Sequence, residues 1–400
     1  MEGPLSEKTV LLVSEPIRPG GIAIYTASIM EGLTRAALDH PLLTASAPAP
    51  GVLPDAELPN VQVASGLFWS HLRPFVFRRL ARWAQQQETV LIHGLSAITA
   101  PLCARVAQAL SIPYVVTVHH YQKRGALRQD LHCGGYIAVS ESLRENLVNE
   151  AHVPKELIRL VPAGARVPAR PLPRPPPAPG AARPSASSRD PEDRATAGRG
   201  QGEGQPVPAG YGGEAVPLVC SIGKLIPRKD FPTFLKAARL VADQLGLNCS
   251  FVISGDGPEE AALRRLSREL KIDKQLTFCH GGASHDALLQ DTDVYVQCSQ
   301  AEGFGTMALQ AMAHGVPVVT TSTGGLLALV RDGETGFLVP VGDHEALAAR
   351  VLSLLTDPEL RRRLGEAALQ TALTDFSLDS MMARTLELYA EVLTAAPAQA

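Results

Sequence analysis

The chain alternates twice between short β-branched runs and helical patterns, and this alternation is the feature that most constrains its fold. In the first half the predicted strands are Val10 to Ser14, Thr89 to His93, Tyr114 to His119, Tyr136 to Ser140 and Ile158 to Pro162. A second series follows, with predicted strands at Leu218 to Ile222, Ser250 to Ser254, Leu276 to Cys279, Val294 to Cys298 and Pro317 to Thr321. Strands that alternate with helices are typical of βαβ units, whose strands lie parallel. The sequence therefore predicts an α/β fold with two doubly wound parallel sheets in series.

The two predicted sheets are separated by residues 168–215, which are rich in Pro, Gly, Ala, Ser and Arg and poor in large apolar residues. Such a segment buries too little apolar surface to offset the entropy lost on ordering, so we predict a disordered linker. Its Pro-rich part is either a plain spacer or a binding segment, and composition favours the spacer. The predicted domains are residues 1–167 and 216–378. The last segment, residues 379–400, is predicted to contain a helix that is free to pack back on the first domain.

Charge and cysteine content exclude several classes of protein. The formal net charge is -3, which gives no field that would gather nucleic acid. The apolar run Val10 to Val13 is far shorter than a signal core or a membrane span, so we expect a cytoplasmic protein. The six cysteines form no C-x-x-C pair and are predicted to be reduced core residues. No His, Cys or carboxylate cluster has the spacing of metal ligands, so we expect no metal and no cofactor.

The segment Ser299 to Ala313 reads as a tight loop followed by a helix, directly after a predicted strand. Gly303 and Gly305 stand at the start of that helix. Backbone N–H groups at a helix start can approach an anion closely, and the helix dipole favours negative charge there. The loop therefore suits a phosphate group. A glycine turn used only for packing is the alternative that this segment alone leaves open.

Six ordered motifs in the second half resemble family 4 retaining glycosyltransferases. They are Gly223 to Asp230, Gly255 to Pro258, Phe278 to Gly281, Glu302 to Gln310, Thr323 to Gly325 and Asp332 to Pro340. Together they span about 120 residues and are far more specific than any one of them alone. The resemblance implies the GT-B fold, in which two Rossmann-like domains face a central cleft. It also implies transfer of a sugar from a nucleotide-sugar donor to a glycan or lipid-linked acceptor without a metal.

The resemblance also implies roles for individual residues. It assigns His119 and Glu302 to the catalytic site. The residues that it assigns to the nucleotide-sugar are Gly20, Gly21, Gly223, Lys224, Lys229, Gly255, Gly281, Gly303, Phe304, Gly305, Thr306 and Gln310. A metal-free enzyme must neutralise the departing diphosphate with cations and backbone donors, which is the role expected of the two lysines. By spacing alone, two solvated lysines at a strand end are the favoured interpretation, and the surrounding motif matches reverse that preference.

Three departures from the family pattern affect the donor site. Gln310 replaces the second glutamate of the signature, Lys224 stands where arginine is usual, and Ala328 replaces a glutamate after the glycine pair. Gln310 would still accept a hydrogen bond from a ribose hydroxyl, though without charge. We therefore expect weakened or retuned donor binding. The alternatives are a catalytically weak or inactive nucleotide-sugar-binding relative and another GT-B enzyme such as an epimerase.

The first half carries weaker motifs. The glycine pair Gly20-Gly21 follows the first predicted strand and is either a ligand loop or a simple turn. His119 closes another strand in a segment that resembles the family's T-x-H-D, with His120 in place of the aspartate. Leu67 to Trp83 interleaves aromatic and arginine side chains, which suits contact with the inner face of an anionic membrane. An ordinary helix with one buried aromatic face is the alternative for that segment.

Overall fold

The computed structural model describes residues 8–17, 20–44, 61–63, 73–127, 129–165, 216–246, 249–280 and 285–395. The chain divides into two compact units. The N-terminal unit comprises Met1–Arg166, Glu302–Thr306 and Asp375–Ala400, and the C-terminal unit comprises Val167–Ala301 and Met307–Thr374. The predicted linker, residues 168–215, lies outside the described residues.

The N-terminal unit contains a seven-stranded sheet. Its strands are β1 (Thr9–Ser14), β2 (Leu42–Thr44), β3 (Val61–Val63), β4 (Thr89–Gly94), β5 (Tyr114–Val118), β6 (Cys133–Ala138) and β7 (Ile158–Leu160). Every neighbouring pair is parallel, and the strand order is β3-β2-β1-β4-β5-β6-β7. Its helices are α1 (Gly21–Arg35), α2 (Arg73–Gln86), α3 (Ala100–Leu110) and α4 (Glu141–Asn149).

The C-terminal unit repeats this plan with six strands. They are β8 (Leu218–Ile222), β9 (Ser250–Ser254), β10 (Leu276–Cys279), β11 (Val294–Gln297), β12 (Val318–Thr321) and β13 (Gly336–Val339), in the order β10-β9-β8-β11-β12-β13. All pairs are parallel. The helices from here to the end of the chain are α5 (Phe231–Leu245), α6 (Glu260–Glu269), α7 (His285–Asp291), α8 (Thr306–Ala313), α9 (Leu326–Leu329), α10 (His344–Thr356), α11 (Pro358–Thr374) and α12 (Leu378–Ala395).

The prediction of two doubly wound parallel sheets is confirmed, and the errors are local. The strand predicted at Tyr136 to Ser140 was wrong by three residues at its start, because Gly134 and Gly135 read as a break but belong to β6. The strands β2 and β3 were missed because three residues are too few to show a periodic pattern. The strand β13 was also missed.

In each sheet the strand order reverses next to the first strand, between β1 and β4 and between β8 and β11. Open parallel sheets bind ligands beyond the carboxyl ends of their strands at such a reversal. The segments that leave β8 and β11 are therefore the candidate ligand-binding segments of the C-terminal unit. Those that leave β1 and β4 are their counterparts in the N-terminal unit, and β5 is the next strand beside β4.

Helix α12 belongs to the N-terminal unit and packs on α1. The side chain of Met382 fills the space beside Gly32, where a β-carbon would collide with it. Val392 covers Gly134 in the same way. Gly32 on α1 and Gly134 on β6 therefore let this last helix approach closely, and this close packing fixes its position within the unit.

Candidate functional site

In the N-terminal unit His119 follows β5 directly and is only partly exposed. Its Nε2 lies 3.1 Å from the carbonyl oxygen of Leu95, which follows β4. A carbonyl only accepts hydrogen bonds, so Nε2 carries the proton and a neutral ring keeps its lone pair on Nδ1. The ring of Tyr25 packs edge-on against this imidazole, with 4.7 Å between ring centroids.

The surroundings of His119 keep its ring uncharged. Its pKa is lowered to about 3, mainly by removal from water and further by the neighbouring His120, whereas the hydrogen bond to the Leu95 carbonyl acts in the opposite direction. At neutral pH the ring is therefore neutral and offers no positive charge. A neutral imidazole does not repel positive charge that develops on a nearby carbon atom.

The glycine-rich loop after β11 meets this histidine within the N-terminal unit. A β-carbon on Gly303 would collide with the carbonyl oxygen of His119, so no other residue fits there. A β-carbon on Gly21 would lie 3.3 Å from the side chain of Thr306. The structure thus brings together four of the predicted site residues, and the adjoining Glu302 is buried at 7% exposure.

Phe304 and Gly305 have structural roles in the same loop. The Phe304 ring is buried and packs against Phe376, with 5.7 Å between ring centroids. Gly305 is buried and has a positive φ of 98°. The phenylalanine side chain therefore anchors the loop, and the loop's backbone N–H groups are suited to an anion.

Helix α1 begins at the glycine pair after β1. Gly20 is the N-cap, its neighbour Gly21 is the first helical residue, and no side chain caps the helix. The first turn contains no acidic residue. The N–H groups of that turn and the positive end of the helix dipole therefore meet no compensating carboxylate within the turn.

In the C-terminal unit, the segment after β8 packs against the turn after β9. The N–H of Gly223 donates to the carbonyl of Ser254 at 2.9 Å. Gly255 has a φ of 152°, and a β-carbon there would collide with the carbonyl of Gly223. The aliphatic chain of Lys229 lies over Gly223, 3.7 Å from the place where a β-carbon would stand, and Lys224 is exposed.

Hydrogen bonds tie this lysine segment to the loop after β11. The N–H of Gln300 donates to the carbonyl of Arg228 at 2.8 Å. On its other side, the Thr321 hydroxyl donates to the carbonyl of Ser299 at 2.6 Å. The segment that carries Lys229 is thus joined to the strand end that leads into helix α8, although no spacing in the sequence indicated these contacts.

Gln310 lies on helix α8 and is buried at 3% exposure. Its side-chain nitrogen has no hydrogen-bond partner in the described part of the protein. One turn further on, His314 is equally buried; its Nδ1 donates to the Gln310 carbonyl at 2.8 Å, and its Nε2 lies 3.5 Å from Oδ1 of Asp286. A buried amide group without a partner costs free energy, so this side chain is suited to receive a ligand acceptor.

The remaining predictions concern Gly281, the basic aromatic segment, metal ligands and the cysteines. Gly281 lies outside the described residues, as do residues 67–72 of the basic aromatic segment Leu67 to Trp83. Among residues 8–395, with their gaps, no three His, Cys, Asp or Glu side chains group as they would around a metal ion. The six cysteines are free, and all except Cys133 are buried.

Two family profiles match the chain. The profile "Glycosyl transferases group 1" matches residues 213–371, and "Glycosyltransferase Family 4" matches residues 19–167. The lipopolysaccharide core biosynthesis glycosyltransferase LpsE of Rhizobium meliloti is 34% identical over 175 residues, which are 44% of this chain and 50% of that protein. The N-acetyl-alpha-D-glucosaminyl L-malate synthase of Bacillus anthracis is 32% identical over 37% of this chain and 39% of that protein. The matches thus span half or less of the length of these curated relatives.

Solved structures resemble the chain over nearly its whole length. Anabaena Alr3699/HepE, in complex with UDP and glucose, has a TM-score of 0.74 at 18% identity and covers 95% of this chain and 99% of its own. The sucrose-phosphate synthase of Thermosynechococcus elongatus has a TM-score of 0.70 at 21% identity, over 97% of this chain and 100% of its own. These likenesses show the GT-B fold.

No helix in the described parts of the chain has the length and apolar character that a membrane crossing requires. With a profile matched in each half, the chain belongs to the group 1 glycosyltransferases, also called family 4.

Proposed function

We propose that the protein transfers a sugar from a nucleotide-sugar donor to a glycan or lipid-linked acceptor, with retention of configuration and without a bound metal. The observation that carries the proposal is the strand reversal of the C-terminal unit. Lys224 and Lys229 follow one strand at that reversal, and the glycine loop that opens helix α8 follows the other. Cations and helix N–H groups at such a position suit a diphosphate.

In the proposed reaction, the bond between the anomeric carbon and the diphosphate breaks, and its electron pair goes to the diphosphate. The two lysines and the loop N–H groups stabilise that growing negative charge. Positive charge develops on the sugar, beside which the neutral His119 ring would lie. Glu302 contacts the donor sugar, and Gln310 lies near the ribose.

Two further parts of the proposal have different grounds. Retention of configuration rests on the six motifs alone. Peripheral contact with an anionic membrane rests on helix α2, where Arg79, Arg82 and Trp83 line a cavity of about 320 Å³. In the part of this helix whose side chains are described, the apolar residues pack against the protein, because Leu80 and Ala84 are buried and Arg105 covers Phe77. Such a helix suits electrostatic contact with a surface rather than insertion.

The alternative of an inactive nucleotide-sugar-binding relative has one observation in its favour, the buried and unpartnered amide of Gln310. An epimerase would interconvert donors without an acceptor. Incubation of the full chain with a panel of UDP, GDP and ADP sugars separates these possibilities. Transfer or slow donor hydrolysis supports an enzyme, binding without turnover supports the inactive relative, and conversion of one donor into another supports the epimerase.

The experiment that tests the proposal measures nucleotide diphosphate binding by calorimetry in the presence of EDTA, with UDP first because HepE is solved in complex with it. Replacing Lys229 by Ala should weaken binding about tenfold or more, since it removes a cation from the diphosphate. Replacing Lys236, an exposed lysine on α5, is the matched control and should change nothing. Equal binding by wild type and the Lys229→Ala variant would contradict the proposal.

A further inference from the structure

Four buried side chains of the N-terminal unit form a continuous hydrogen-bonded chain. The hydroxyl of Tyr389 lies 2.6 Å from Nδ1 of His93, and Nε2 of His93 lies 2.8 Å from the hydroxyl of Thr117. The Thr117 hydroxyl lies 2.9 Å from the hydroxyl of Tyr25. All four residues are at most 1% exposed. The chain therefore joins helix α12, strands β4 and β5 and helix α1.

Three residues connect the His119 ring to this hydrogen-bonded chain. The Leu95 carbonyl, which accepts from His119 Nε2, stands two residues after His93 on the same strand end. Thr117 stands two residues before His119 on β5. Tyr25, at the far end of the chain, packs its ring edge-on against the imidazole.

The hydrogen bonds of this chain cannot be exchanged for bonds to water. Each hydroxyl and ring nitrogen in it is buried, so loss of one partner leaves the next group unpaired. The side chains then keep their mutual geometry, because any movement breaks a bond that nothing replaces. His93 is also kept uncharged by burial, so that one ring nitrogen donates and the other accepts.

We propose that Tyr389 is a positioning residue that acts through His93 and Thr117 to hold His119 in place. The inference rests on the proposed function, in which His119 lies beside the transferred sugar. It makes the last helix of the chain part of the support of the catalytic site, although Tyr389 touches no substrate. The same geometry assigns His93 and Thr117 to the positioning set.

The first test compares kinetics of full-length variants. Tyr389→Phe and Thr117→Val each remove one hydroxyl, and each should lower kcat at least tenfold with little change in the donor KM. Thr117→Ser keeps the hydroxyl and should restore most of kcat. Val392→Ala, on the same helix but outside the hydrogen-bonded chain, is the matched control for loss of stability. If Tyr389→Phe keeps kcat within twofold of wild type, or loses no more than Val392→Ala does, the proposal is wrong.

The second test needs no turnover and so separates this inference from the proposed function. In protein labelled at the histidine rings, the NMR signals of His119, identified by its replacement with Asn, should shift in Tyr389→Phe and stay in place in Val392→Ala. Unmoved His119 signals would overturn the proposal even if the wild type is active. If the wild type has no transferase activity but the His119 signals shift in Tyr389→Phe, the positioning role is supported and the proposed function is contradicted.

Discussion

At the scale of single residues, Gln310 is the most informative departure from the family pattern. A glutamate there would accept hydrogen bonds with both oxygens, whereas the glutamine places an N–H₂ group in a buried position without a partner among the described residues. The glutamine therefore has one hydrogen-bond donor group where the glutamate would have a second acceptor. In the proposed donor complex its amide oxygen would accept from one ribose hydroxyl and its N–H₂ group would donate to the other, which can also donate to a carboxylate.

Replacing Gln310 by Glu should tighten binding of a nucleoside diphosphate about fivefold at pH 8, because charged acceptors form stronger hydrogen bonds, by about 1 kcal/mol. The same change should lower the melting temperature of the ligand-free protein, because a carboxylate at 3% exposure would lack a partner. Calorimetry and thermal unfolding measure the two effects. Gln310→Met, which removes both polar atoms, should instead weaken binding. If neither variant changes affinity, Gln310 does not contact the nucleotide.

At the scale of elements, the packing of helix α2 shows where part of its aromatic and basic side chains lie. The sequence left open whether its aromatic side chains face a membrane or the protein interior. The described half of the helix shows Phe77 covered by Arg105 of α3, while Leu80 and Ala84 are buried. Arg78, Arg79 and Arg82 of the same helix are exposed and form a basic surface.

Reversing two of these charges tests that surface. Arg79→Glu combined with Arg82→Glu should reduce binding to vesicles with anionic lipids more than tenfold, since each arginine near such a surface contributes about 1 kcal/mol. Cosedimentation measures the binding, and raised salt should abolish the wild-type signal. Arg268→Glu on α6, at an equally exposed position, should leave binding unchanged. If the wild-type protein does not bind anionic vesicles, or binds neutral vesicles equally well, the membrane proposal is wrong.

At the scale of the whole molecule, the burial of His93 and His119 makes the stability of the protein depend on pH. Burial lowers the pKa of His93 to about 3, and the pKa of His119 is lowered to about the same value. Both groups would titrate near 6.5 in the unfolded chain. Between these values the unfolded state binds more protons, so the free energy of unfolding falls as the pH decreases.

Urea unfolding at pH 7.5 and pH 5.5 should therefore differ, with the protein less stable at the lower pH. The fully buried His93 contributes about 1 kcal/mol of this difference. In His93→Gln that part of the pH dependence should disappear, while groups that titrate elsewhere contribute equally to both proteins and cancel. An unchanged difference in the variant would show that His93 is protonated equally in the folded and unfolded states.

The sequence by itself determined the two parallel sheets, the longer strands and the glycine loops, because these depend on patterns within a few residues of one another. Periodicity predicted β8, β9 and β10 to the residue. Short strands such as β2 escaped, since their pairing partners supply the order that three residues cannot. The motif resemblance also indicated which residues to examine at the donor site.

Only the tertiary structure decided the environment of each of those residues. The depressed pKa of His119, the collision that reserves position 303 for glycine and the unpartnered nitrogen of Gln310 all arise from atoms distant in sequence. The bond between His93 and Tyr389 joins positions 296 residues apart. Local patterns encode which faces are apolar, but desolvation and hydrogen-bond partners depend on what the folded chain brings against each face.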